Sequence, residues 1–222
     1  DSPASSVCSV RMELAEEQCK WVKRCEALLP FADDDGIVPI TDEAWFDDDG
    51  TNRIREFVRV VWGKDTEAEN MAWLAESLGQ KASESADDTI RRYLSTQFYK
   101  DHLRTYKKRP IYWLFSSPKG PFNALIYMHR YTPSTVSTVL NEYLREFQAK
   151  LKASLEHAER SDNAREADRL RKALLELDQY EHDVLYPLAS QTLAIDLDEG
   201  VKMNYAKFGA ALSRIPGLEA TE

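Results

Sequence analysis

Two long stretches of apolar residues, spaced three and four apart, constrain the fold of this chain most. The spacing is carried by Val136, Leu140, Tyr143, Leu144, Phe147, Leu151 and Leu155 in the first stretch, and by Leu170, Leu174, Leu177, Val184 and Leu185 in the second. This period places the apolar side chains on one face of an α-helix. The polar residues Ser161-Asp162-Asn163 lie between the stretches and predict a reversal of the chain. We therefore expect an antiparallel helical hairpin.

The ends of this helical hairpin are predicted from residues that favour helix boundaries. Thr132 is expected to cap the first helix, with Pro133 at its first helical position, and the return helix is expected to end near Pro187. At about 1.5 Å per residue, arms of roughly 25 residues reach about 40 Å. The tip between the arms is polar and has little apolar surface to bury. We expect the arm to project from the rest of the molecule.

Four further helices are predicted from the same spacing, at residues 5–29, 52–62, 67–78 and 86–106. The first has a seven-residue stripe, which is typical of a helix that packs on a partner helix. Gly63 and Gly79 are expected to end the second and third, and Ser85 lies near the start of the fourth. Residues 31–50 are expected to form a loop. The tail is predicted as a loop and a short helix that seal the core with Leu197, Val201, Tyr205 and Phe208.

A change of period between residues 110 and 129 predicts a β-hairpin. Residues 110–115 and 122–129 are rich in aromatic and β-branched residues, and the segment 116–121 between them holds Pro118, Gly120 and Pro121. A lone hairpin is unstable, so it must pack on helices or join strands outside this chain. The predicted fold class is mainly α (α+β). We expect residues 1–131 to form a helical region ending in a basic helix and the hairpin, and residues 132–222 to form the helical hairpin and tail, both within one integrated domain of a larger protein.

Positive charge is concentrated in residues 89–131. This segment holds nine Lys or Arg residues and a single acid, Asp101, for a net charge of +8 in a chain whose formal net charge is −9. Aromatic residues are interleaved with the cations, a composition that favours binding to a polyanion because Lys and Arg displace counterions from phosphates. The alternative is a solvated basic helix whose charges match its dipole. The candidate nucleic-acid-binding residues are Arg91, Arg92, Lys100, Arg104, Lys107, Lys108, Arg109, Lys119 and Arg130.

Other classes of site find little support in the sequence. Three cysteines, Cys8, Cys19 and Cys25, fall in the first predicted helix without a Cys-x-x-Cys motif, which favours reduced thiols. The histidines show no metal-ligand spacing, and no glycine-rich phosphate loop occurs. No membrane span or secretory signal is visible, so we expect a cytoplasmic location. The chain begins Asp-Ser-Pro, from which we expect a piece of a larger protein.

One acidic cluster partly matches a calcium-binding loop. Asp47, Asp49, Gly50 and Glu56 occupy the third, fifth, sixth and twelfth positions of an EF-hand pattern. The first position is Trp45, which has no oxygen ligand to offer. We therefore predict that Asp47–Asp49 caps the following helix, where carboxylates meet unpaired backbone N–H groups, and that the chain holds no metal.

Several ordered motifs run through the chain. They are RRYL at 91–94, FYKDH at 98–102, KKRPIYWLFSS at 107–117, FNALIYMHRY at 122–131, DLDEGVK at 196–202 and NYAKF at 204–208. Motifs of this length are more specific than a short pattern. Together they resemble the C-terminal region of the adenine-specific DNA methyltransferases of BREX phage-defence systems, the PglX family. The resemblance covers roughly residues 37–212.

The resemblance implies a parent enzyme that transfers a methyl group from S-adenosylmethionine to adenine N6 in DNA. Its cofactor site and its Asn-Pro-Pro-Tyr motif would lie upstream, so no catalytic residue and no cofactor are assigned to this chain. Two functions follow as hypotheses. The chain is a DNA-engagement module that positions double-stranded DNA, or it is a scaffold that docks the upstream methyltransferase domain or other BREX proteins.

Overall fold

The computed structural model describes residues 35–107 and 109–218, and it confirms a mainly helical fold with a small sheet. The predicted helix at 5–29 and the three cysteines lie outside the described residues. Three of the helices contain a π-helical turn, at Leu94–Phe98, Val139–Leu144 and Glu181–Leu185 respectively. The helices are α1 (Gly50–Trp62), α2 (Glu67–Ser77), α3 (Ala86–Tyr93 continued through Tyr99–Thr105), α4 (Thr135–Thr138 continued through Arg145–Arg160), α5 (Ala164–Tyr180 continued through Tyr186–Ser190) and α6 (Val201–Ala206).

The boundaries of the first three helices follow the predicted capping residues. The Asp49 carboxylate accepts a hydrogen bond from the Asn52 backbone N–H at 2.9 Å, so the acidic cluster caps α1 as predicted. Gly63 ends α1 with a φ of +94°, a backbone conformation that side chains with a Cβ rarely adopt. Ser85 caps α3 in a reciprocal pair with Asp88, which satisfies two backbone N–H groups at once.

The predicted β-hairpin is present and forms part of a three-stranded antiparallel sheet. Strand β2 spans Tyr112–Ser116 and strand β3 spans Asn123–Tyr127. The third strand, β1 (Ile37–Pro39), pairs with β3, so the strand order is β1-β3-β2. The prediction that residues 31–50 form only a loop is therefore wrong. With three residues, β1 is too short to show an alternating pattern, and its position is decided by pairing with a distant strand.

The helical hairpin is also confirmed, with two corrections at its ends. Asn163 caps α5 directly after the reversal. Helix α4 begins after Ser134 and not at Thr132, because residues 132–135 close a turn in which the Thr135 N–H donates to the Thr132 carbonyl at 2.9 Å. Helix α5 continues past Pro187 to its end at residue 190. The π-helical turn just before Pro187 rearranges the backbone hydrogen bonds that a proline would otherwise break.

The helical hairpin projects less than predicted. The segment 41–46 packs along it, where Lys150 Nζ donates to the Trp45 carbonyl at 2.5 Å and Arg169 pairs with Glu43 at 3.0 Å. Residues 159–165 at the tip are exposed. Most of the arm is therefore anchored to the segment that leads from β1 into α1.

One hydrophobic core joins the sheet, the helical hairpin and the tail. Phe115 and Phe122 from the β-hairpin meet Phe147 of α4 and Phe208 of the tail, and all four are fully buried. Tyr205 and Phe208 seal the core as predicted, whereas Leu197 is 50% exposed and does not. A three-residue helix places Leu197 on the surface, so its apolar side chain was a misleading signal.

Candidate nucleic-acid interface

Two of the nine candidate cations, Arg91 and Arg92, are held by carboxylates within the fold, and the other described candidates have exposed side chains. Arg91 is buried, and its guanidinium Nη2 lies 2.9 Å from the Asp49 carboxylate. The same carboxylate caps α1, so both of its oxygens are engaged within the fold. The Asp49 carboxylate, which the calcium-binding pattern would need as a metal ligand, is therefore already used in hydrogen bonds. Arg91 in turn holds α3 against the start of α1.

Arg92 is also engaged within the fold. Its guanidinium donates to both Glu84 carboxylate oxygens, at 2.9 and 3.0 Å, and to the Gly79 carbonyl at 3.1 Å. The hydrogen bond from Arg92 lowers the pKa of Glu84 to about 2. Arg92 therefore fixes the connection between α2 and α3, and a bidentate pair of this kind leaves it little freedom to meet a phosphate.

The cations after Arg92 on α3 are exposed. Lys100 and Arg104 are four residues apart and so share one face of the helix. Arg104 lies 2.8 Å from Asp101, yet its side chain is 81% exposed, and such a surface pair is weak enough to be exchanged for a phosphate. Lys107 and Arg109 follow on the exposed connection to β2, where Lys107 has a φ of +50°. Lys108 lies outside the described residues.

An aromatic cluster fixes this connection to the sheet. His102 is buried, and its Nε2 lies 3.3 Å from the Tyr112 backbone N–H, which donates to it. Burial lowers the pKa of His102, which favours the neutral ring that can accept this hydrogen bond. The rings of His102 and Tyr106 are 4.7 Å apart, and Tyr106 remains 41% exposed. The end of α3 is thereby held beside the β-hairpin, with one aromatic ring at the surface.

The turn of the β-hairpin lies opposite α3 across an open groove of about 350 Å³. Lys100 of α3 and Lys119 of the turn both line it, and neither ammonium pairs with a carboxylate within residues 35–107 and 109–218. Arg130 is exposed at the end of the hairpin opposite the turn. It lies two residues after Met128, whose backbone N–H donates to the Ile111 carbonyl. The exposed cations thus extend from the hairpin turn, along α3, to the open end of the hairpin.

The sequence did not indicate the uncharged residues of the groove. They come from α3, the residue that follows β1, strands β2 and β3, the hairpin turn and the tail, and they carry neither charge nor a recognisable spacing. They are Ile40, Leu94, Ser95, Thr96, Tyr99, Leu114, Ser116, Gly120, Asn123 and Ser213.

A buried carboxylate holds the hairpin turn in place. Glu176 of α5 is 8% exposed, and its Oε1 accepts a hydrogen bond from the Lys119 backbone N–H at 2.6 Å. We expect Glu176→Ala to lower the free energy of unfolding by about 2 kcal/mol, because the hydrogen bond between the Lys119 N–H and a charged group is lost. Urea denaturation would measure this, with the exposed Glu159→Ala as the control. Equal stabilities of the two variants would contradict the anchoring role.

The described helices include none that is both long enough and apolar enough to cross a membrane. No protein-family model matches the chain. Two curated proteins are similar to it. Adenine-specific methyltransferase BrxX of Escherichia coli O9:H4 (strain HS) is 46% identical over 203 residues, which cover 84% of this chain and 17% of that protein. Adenine-specific methyltransferase PglX of Lacticaseibacillus casei (strain Zhang) is 34% identical over 197 residues, which cover 82% of this chain and 16% of that protein.

The chain spans about one sixth of the length of these two curated relatives. The similarity extends over most of the chain in both cases, and both relatives carry the same activity in their names. The chain corresponds to a region of the PglX-family BREX adenine-specific methyltransferases.

Proposed function

We propose that this region is a noncatalytic module that engages and positions double-stranded DNA for adenine-N6 methylation by a cytoplasmic BREX methyltransferase. The parent enzyme would use S-adenosylmethionine, bound by a domain outside this chain. The observation that carries the proposal is that Lys100 of α3 and Lys119 of the hairpin turn line one groove, among further exposed cations of the same segment, in a chain whose net charge is −9. Acidic surfaces elsewhere would repel DNA and so favour this side in the encounter.

The proposed phosphate contacts are the exposed candidates and Lys108, which lies outside the described residues but between two of them in sequence. Arg91 and Arg92 are left out because carboxylates within the fold already bind them. Lys119 lies at one end of the two hairpin strands, and Arg109 and Arg130 lie beyond the other end. A five-residue strand at about 3.3 Å per residue separates these two groups by about 17 Å, the length of about five nucleotides along one B-DNA strand. Contacts of this kind position the duplex and do not read its sequence. The contacting residues are Lys100, Arg104, Lys107, Lys108, Arg109, Lys119 and Arg130.

The salt dependence of DNA binding tests this proposal. A fluorescent duplex of random sequence is titrated with the full chain at several salt concentrations. If four to seven cations meet phosphates, the logarithm of the binding constant falls against the logarithm of the salt concentration with a slope of about −4 to −6. Absence of binding at low salt, or an affinity that does not depend on salt, would contradict the proposal.

A second function is favoured by a different surface. Three aromatic side chains on α1 and α2 are exposed, namely Phe57 at 47%, Trp62 at 53% and Trp73 at 67%. Exposed aromatic residues are typical of protein interfaces. A scaffold role would dock the upstream methyltransferase domain or another BREX protein here. Gel filtration of the chain mixed with the separately expressed upstream portion would test it, with two independent peaks as the contradicting result.

A further inference from the structure

Five aromatic rings form a continuous row at the end of the β-hairpin opposite its turn. They belong, in order, to Tyr106, His102, Tyr112, Tyr127 and His129, and we call them the aromatic row. The centroids of successive rings are 4.7, 5.6, 5.3 and 5.3 Å apart, which is the range of direct ring contact. Tyr112 and Tyr127 are opposite each other in the register of β2 and β3, so they share one face of the sheet.

The two ends of the aromatic row are open to solvent. Tyr106 is 41% exposed and His129 is also exposed, whereas His102 is buried. Tyr112 and Tyr127 are half-buried. The inner rings therefore support the outer ones, and each outer ring presents a surface that the described part of the chain leaves uncovered.

The backbone holds both sides of the aromatic row in position. The Tyr106 N–H donates to the His102 carbonyl at 3.0 Å, and the Tyr106 carbonyl accepts from the Arg109 N–H at 2.9 Å. On the hairpin side, the Met128 N–H donates to the Ile111 carbonyl at 3.0 Å. A ring that is already fixed loses little conformational entropy when a flat ligand stacks on it.

Charge decides between the two usual partners of exposed aromatic rings, a protein surface and a nucleic acid. The outer rings lie next in the chain to exposed cations, namely Lys107, Arg109 and Arg130. The only acid in residues 89–131 is Asp101. A nucleic acid offers both anionic phosphates and flat bases to such a surface. Aromatic rings beside cations are the arrangement by which proteins hold single-stranded nucleic acid.

We propose that the aromatic row binds unpaired DNA bases, with one base stacked on the Tyr106 ring and another on the His129 ring. The bases of an intact duplex are stacked on one another and offer these rings no free face, whereas the bases of a single strand do. The inference rests on the proposed function, because the same cations hold the DNA backbone. It adds a second form of DNA, one that contains unpaired bases.

Substitutions of Tyr106 test the aromatic row on the full chain, with a fluorescent single strand of mixed sequence and a duplex of the same sequence. Tyr106→Leu should weaken binding to the single strand about tenfold, the loss expected for one stacked base. It should change binding to the duplex less than about twofold. The slope of single-strand binding against salt should stay at its wild-type value, because no phosphate contact is lost.

Two further variants and a control separate stacking from a structural role. Tyr106→Trp retains an aromatic ring and should bind the single strand within about twofold of wild type. His129→Leu, at the other end of the aromatic row, should act like Tyr106→Leu. The control, Tyr186→Leu, removes an exposed tyrosine of α5 outside the aromatic row and should bind both forms of DNA as the wild-type chain does.

The outcomes distinguish the aromatic row from the duplex interface. Single-strand binding by Tyr106→Leu at wild-type affinity would overturn the stacking role and leave the proposed function standing, and so would equal losses in Tyr106→Leu and Tyr106→Trp. If the wild-type chain binds the single strand but not the duplex, the proposed function fails, and a tenfold loss in Tyr106→Leu would retain the stacking role. Binding of neither form would overturn both and assign the exposed rings to a protein interface.

Discussion

Asp49→Ala should lower the free energy of unfolding by about 3–5 kcal/mol. The substitution removes the N-cap of α1 and leaves the Arg91 guanidinium buried without its carboxylate partner. Removing one member of a buried ion pair is costly because the remaining charge is neither solvated nor paired. Loss of the cap adds about 1 kcal/mol.

Urea denaturation of Asp49→Ala beside Asp47→Ala measures this effect. Asp47 belongs to the same acidic cluster but is exposed, so its substitution should change the unfolding free energy by less than about 0.5 kcal/mol. The double variant Asp49→Asn with Arg91→Met should recover part of the loss, because Asn retains the cap and no buried charge remains. Equal stabilities of Asp49→Ala and Asp47→Ala would show that the pair does not hold α1 and α3 together.

Charge reversal of Lys107, Lys108 and Arg109 to glutamate should reduce the affinity for duplex DNA at 0.1 M salt by about 500-fold or more. Each lost phosphate contact lowers the binding constant by about 0.9 logarithmic units at this salt concentration, and three are lost. The slope against salt should become less steep by about three. The variant should fold normally, because Lys107 and Arg109 are exposed on the connection between α3 and β2.

The control is a triple charge reversal at Lys64, Lys152 and Lys202, which changes the net charge by the same amount on other parts of the surface. Lys64, Lys152 and Lys202 are exposed and make no ion pair with a carboxylate of the described residues. Their reversal to glutamate should reduce DNA affinity less than tenfold, through the long-range field alone. Equal losses in the two triple variants would mean that net charge, and not this surface, attracts DNA.

Within the described residues, local patterns in the sequence predicted the helices and the β-hairpin well. The cap at Asp49, the end at Gly63 and the reversal at residues 161–163 are set by neighbouring residues, so they can be read from a short window. Strand β1 and the course of α5 past Pro187 were not predicted. Both depend on partners or backbone adjustments that the local spacing does not show.

The sequence predicted that the candidate interface is positively charged, but not which of its residues are exposed. Arg91 and Arg92 look like their exposed neighbours in sequence, but Asp49, 42 residues away from Arg91, and Glu84 bind them within the fold. The burial of Tyr99 could not be read from the sequence either, because it arises from tertiary packing of α3. The net charge of a segment can be counted from the sequence, but which of its charged residues remain exposed depends on tertiary contacts.

We propose that this region holds DNA for a catalytic domain located elsewhere in the parent enzyme. The most direct test of this claim is adenine methylation by the full-length methyltransferase carrying the Lys107, Lys108 and Arg109 reversal, measured together with binding of S-adenosylmethionine. We predict that methylation of target DNA is lost while the affinity for S-adenosylmethionine stays at its wild-type value. Methylation at the wild-type rate, with the reversal in place, would contradict the claim.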